Sequence, residues 1–86
     1  MTSKTAIAEA EARFVEMISR RLKAGGVDPD AYVLVWRRIL ESEREAAIER
    51  GWHGDLTRAQ VNLAIALAER RLELVQQVAA AHRLAA

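Results

Sequence analysis

The chain has 86 residues, with 13 basic and 12 acidic side chains and a net charge of +1. That balance lacks the basic field a nucleic-acid binder needs. Cysteine is absent, which excludes disulfides and thiolate metal sites, and no apolar run is longer than Ala31 to Trp36, far too short to cross a bilayer.

The length fits one small domain. Hydrophobic residues make up 51% of the chain, but 17 of them are alanine. So thin a supply of large side chains favours helices that pack against a second copy. The opening segment, MTSKTAIAEAEARF, carries Glu9 and Glu11 where a signal peptide would be apolar. With the missing cysteines, this sets the expectation of a cytoplasmic protein.

Glycine and proline divide the chain into three predicted helices. The first covers about 5–24, with Ile7, Phe14, Met17, Ile18 and Leu22 at helical spacing. Gly25-Gly26 supplies a left-handed C-terminal cap. In VDPDAY, Asp28 is the expected N-cap and Pro29 the first helical residue of a second helix over 29–50. This helix carries Tyr32, Val35, Trp36, Ile39 and Leu40, and its latter half, ESEREAAIER, is mostly charged.

The joint GWHGD leads to a third helix over 56–85, with Asp55 or Thr57 as its cap. No breaker interrupts it, so it reaches about 45 Å. A helix of that length exceeds what a three-helix monomer needs and is expected to span a dimer. The fold class is all-α, with no strand-like alternation.

Steps of four and three along this helix trace Gln60, Ala64, Leu67, Arg71, Leu74, Val78 and His82. Three members of the seam are polar, and they are separated by eleven residues, about three turns. Arg71 has Leu67, Ala68, Leu74 and Val75 at its helical neighbour positions. Two readings follow. In one, Arg71 lies at the edge of the stripe and snorkels, with its stem buried and its head in water. In the other, the seam lines a polar pocket that awaits an anion, because a buried guanidinium needs a partner and a carboxylate suits its fork.

The segment LAERRLELVQQVAAAHR (67–83) resembles the long helix of the small all-α chorismate mutases. EARFVEMISRRLKAGGVDPDAYVLVWRRILESE (11–43) resembles that family's second helix, the joint after it and the start of its third helix. The order differs: the family's long helix comes first, whereas here it comes last. The resemblance therefore implies a circular permutant joined through GWHGD, a rearrangement that compact domains tolerate. It also implies an intertwined homodimer that takes a small dicarboxylate and needs neither metal nor cofactor.

Residue by residue, the family's carboxylate-gripping arginine falls on Arg71, or on Arg70 if the register slips by one. Its lysine eleven residues later falls on His82, with Arg83 adjacent, and a glutamate of its second helix falls on Glu11. The arginine that usually precedes this glutamate is Ala10, with Arg13 one turn along. The family's serine and glutamine land on Glu43 and Ala47, and an arginine expected from the partner subunit lands on Gly54, beside His53.

The implied reaction, chorismate to prephenate, is an intramolecular rearrangement that rests on orientation and preorganised charge. In that scheme Arg71, His82 and Glu11 are catalytic candidates, with Glu11 protonated and donating to the ether oxygen. Arg70, Arg83 and Arg13 are substrate-binding candidates. Two rival readings stand beside it. One is a non-catalytic helical dimer, acting as an interaction or regulatory module whose polar seam residues set register. The other is a helix-turn-helix DNA binder using VWRRILESER, which the acids beside the arginines disfavour.

Overall fold

The computed structural model describes residues 3–50 and 55–85, with side chains described for 4–49 and 58–85. Among these residues all regular structure is helical: α1 (Ser3–Ala24), α2 (Pro29–Arg50) and α3 (Asp55–Ala85). The joint residues Trp52, His53 and Gly54, and the capping side chains expected at Asp55 or Thr57, lie outside the described set.

The α1–α2 joint is built from short-range chemistry. Gly25 and Gly26 have φ of 84° and 80°, the left-handed region where an L side chain is strained. The Gly25 N–H donates to the Leu22 carbonyl at 3.3 Å, which closes the end of α1. Asp28 then caps α2: its Oδ1 accepts the Asp30 N–H at 3.2 Å, and its carbonyl accepts the Tyr32 N–H at 3.1 Å. Such a cap contributes about 1 kcal/mol.

α3 is the axis of the molecule. Its 31 residues span about 46 Å, and the largest extent of the chain is 48 Å. α2 runs antiparallel to α3, tied at one end by Arg44–Glu69 (3.2 Å) and at the other by Arg83–Asp30 (2.8 Å). α1 runs parallel to α3, so Glu11 meets Arg70 near one end and Lys23 shares a cleft with His82 near the other.

Ile18, Leu22 and Val75 form the buried centre, with Phe14, Tyr32, Val33, Trp36 and Val78 packed around them. Leu40, Ala47, Ala68, Leu74 and Ala79 are also buried. Every buried side chain is apolar, and no polar or charged residue is buried among the described residues.

The chain measures 48 × 34 × 16 Å. Its radius of gyration is 15.2 Å, against about 12 Å for a compact chain of this length. Its accessible surface is 6416 Å², against about 5,100 Å² for a folded monomer of this mass. The excess comes with exposed hydrophobes on all three helices, including Ile7 on α1, Val35, Ile39 and Ile48 on α2, and Leu63 and Leu67 on α3. No described helix is long and apolar enough to cross a membrane.

Candidate functional site

Two adjacent arginines on α3 meet different environments because successive helical residues point about 100° apart. Arg70 turns toward α1. Its Nε donates to Glu11 Oε2 at 2.9 Å and its Nη2 to Glu11 Oε1 at 3.0 Å, a two-pronged pair across the helix interface. Its Nη1 donates to Glu73 Oε2 at 3.0 Å on the same helix. These bonds hold the Glu11 carboxyl below its usual pKa range and push the Arg70 guanidinium above its own, with the hydrogen bond between the two as the leading cause in each case.

Arg71 turns the other way, toward the seam between α1 and α2. Its Cζ lies 5.8 Å from the Phe14 ring centre and 6.0 Å from that of Trp36. The two rings pack edge to face at 5.2 Å with an interplanar angle of 89°. The guanidinium thus rests on an aromatic bed, worth about 0.5–1 kcal/mol at an exposed site. Arg71 remains exposed, and no carboxylate pairs with it among the described residues. Of the two readings of this residue, snorkelling describes its position within one chain: the seam does not close over it.

Both arginines nevertheless border one small cleft of about 160 Å³ between α1 and α3, lined by Glu11, Phe14, Leu67, Arg70, Arg71 and Leu74 together with Ile7 and Ala10. Three candidate residues from distant parts of the sequence, Glu11, Arg70 and Arg71, are therefore brought together. Each contributes differently: Arg71 offers a cation without a carboxylate, Arg70 offers one already shared by two acids, and Glu11 is ionised. A protonated Glu11 donating to an ether oxygen does not fit this arrangement, because the Arg70 fork stabilises the carboxylate and leaves it an acceptor.

The other candidates lie elsewhere. His82 is eleven residues beyond Arg71, about 16 Å along the helix, and lines a second cleft with Lys23, Ser19 and Gln77. Arg83 faces α2, paired with Asp30 and donating from Nε to the Ala79 carbonyl at 3.3 Å. Arg13 pairs with Glu9 at 3.6 Å on the solvent side of α1. Gln60, the third polar seam residue, is exposed. Among the described residues no group of three or more His, Asp or Glu could hold a metal.

Sequence reasoning missed the aromatic bed. Phe14 and Trp36 both read as ordinary core positions, and nothing in a one-dimensional pattern says that they meet beneath an arginine 57 and 35 residues further on. No family, curated protein or solved structure matches this chain.

Proposed function

We propose that this chain is a chorismate mutase-like protein, acting as a homodimer that binds a small dicarboxylate at the Glu11–Arg70–Arg71 cleft. The observation that carries the reading is the convergence of two arginines and one acid on a cleft with an apolar floor of Phe14, Leu67 and Leu74. Arg71 is the clamp for one carboxylate, because no acid competes for it. Arg70, held in place by Glu11 and Glu73, adds positive charge at the rim. The reaction needs a dianion kept compact and negative charge stabilised as it develops, and both tasks fall to fixed cations in a water-poor site.

One chain supplies only half of such a site, since the cleft is small and Arg71 is exposed. Closure by a second copy is supported by the exposed hydrophobes next to the cleft. Val35 and Ile39 flank Trp36, Trp36 touches Phe14, and Phe14 and Leu67 line the cleft itself. The surface excess of about 1,300 Å² over a compact monomer exceeds the roughly 800 Å² that each partner buries in a standard interface. Covering this face would exclude water from Arg71 and strengthen its attraction for a carboxylate.

The test is incubation of the purified protein with chorismate, following its absorbance and identifying prephenate by chromatography. Turnover above the uncatalysed rate, abolished in Arg71→Ala with helicity intact, is the expected result. Full activity in Arg71→Ala would remove the clamp. A second reading, a non-catalytic helical dimer serving as an interaction module, is favoured by the double engagement of Arg70 with Glu11 and Glu73, which makes it structural. Absence of turnover, together with a dimer that no dicarboxylate stabilises, would select that reading.

A further inference from the structure

A second cleft among the described residues belongs to neither Arg70 nor Arg71. It measures about 430 Å³ and lies between the C-terminal halves of α1 and α3, lined by Val15, Ser19, Lys23, Gln77, Val78 and His82, with Ala81 and Ala85. Its volume falls within the usual range for small-molecule sites, and its make-up, an apolar floor with a few polar groups, is that of such sites. Lys23, Ser19, Gln77 and His82 supply the polar groups, and among the described residues none of these side chains is engaged in a hydrogen bond or an ion pair.

We propose that this cleft is a separate binding site for a small amphipathic monocarboxylate, its carboxylate held by Lys23, Ser19 and Gln77 and its apolar body laid on Val15, Val78 and Ala81. Lys23 is the one lysine or arginine of the lining, which matches a single negative charge. A lysine ammonium is a compact point charge without the geometric demand of an arginine fork. Ser19 and Gln77 add neutral donors, and His82 can add another from its ring.

The ends of two parallel helices carry partial negative charge, which would repel an anion placed directly on them. The donors do not gather there. Helical side chains lean toward the N-terminus, so Lys23 reaches back toward Ser19, one turn in from the end of α1, and Gln77 lies two turns in from the end of α3. At that depth the dipole has faded. The valine and alanine floor gives a free inorganic anion nothing to bury and gives an aryl or alkyl chain a surface to cover.

The site stands apart from the Arg71 cleft, and so does its test. The probe is 3-phenylpropanoate, titrated into isotopically labelled full-length protein and followed by amide chemical shifts. Saturable shifts clustered at Ser19, Lys23, Gln77 and Ala81 are expected, while 3-phenylpropanamide binds about fivefold more weakly and inorganic phosphate produces none. Lys23→Met, an exposed change that keeps the chain length, should weaken binding about fivefold, in line with an exposed ion pair, and Arg71→Ala should leave binding unchanged. Equal binding of the amide, shifts confined to Glu11 and Arg70, unchanged affinity in Lys23→Met, or no saturable shifts at all would each overturn the assignment.

Discussion

The two halves of α3 differ more than their similar composition suggests. From Leu74 onward its inward residues are covered: Leu74, Val75 and Ala79 are buried and Val78 is half-buried between α1 and α2. Before Arg71 the cover is only partial: Ala68 is buried and Val61, Ala64 and Ile65 are half-buried, but Leu63 is 61% and Leu67 49% exposed. One helix thus passes from the core of a three-helix fold to a partly covered apolar face, and Arg71 lies where the cover thins. The stripe does not end at Arg71. What changes there is how far the chain covers its own stripe, so an apolar periodicity read from sequence marks a face without stating how much of it is buried.

The sharpest way to break the comparison is at the covered end. Ile18 is fully buried against Val75 and Leu22, and Ile18→Ala should cost about 3 kcal/mol, enough to unfold much of so thin a fold. Urea denaturation followed by circular dichroism measures this loss. A cost below about 1 kcal/mol would mean that the three-helix core is not what holds the chain together.

A charge at the open end should act differently. If the proposed dimer forms, Leu67→Glu should leave helicity nearly unchanged at high concentration while halving the mass measured by light scattering. An unchanged mass in the variant would show that this face is not where copies meet.

The smallest effect belongs to the pair that bridges α1 and α3. Because Arg70 lowers the Glu11 pKa below its ordinary value of 4.5, the folded state binds this proton less readily than the unfolded one. The stabilisation from the pair is fully present above about pH 4.5 and is lost as pH falls through the lower, folded-state value. Glu11→Gln should therefore lower Tm slightly at neutral pH and flatten this part of the acid dependence. A melting profile between pH 3 and 7 that matches the parent chain would remove the pair from the fold.

Much of the architecture was legible because it is local. Asp28 and Pro29 announce the start of α2 through capping chemistry that spans only a few residues, and Gly25-Gly26 announces the end of α1 through backbone freedom alone. The 31-residue α3 follows from the absence of any breaker. The site was legible only in its ingredients. Sequence named Glu11, Arg70 and Arg71 but could not divide the roles of the two arginines, because a step of 100° on α3 is resolved only once the position of α1 is known. The acid that decides it lies 59 residues from Arg70. His82 shows the converse: at three turns from Arg71 it shares a direction but not a cleft, since helical phase fixes azimuth and leaves height along the axis untouched.

The small size of the fold, 48 × 34 × 16 Å, also governs how this protein would look to deuterium. In so small a fold few amides are far from water, and slow exchange should be confined to the stretches around Ile18–Leu22 and Leu74–Ala79. In the proposed dimer, a second copy would shield the stretch before Arg71 only in proportion to how often it is bound. Protection there should then rise as the sample is concentrated, while protection around Val75 rises far less. The exchange map would thereby separate what one chain encloses from what two enclose.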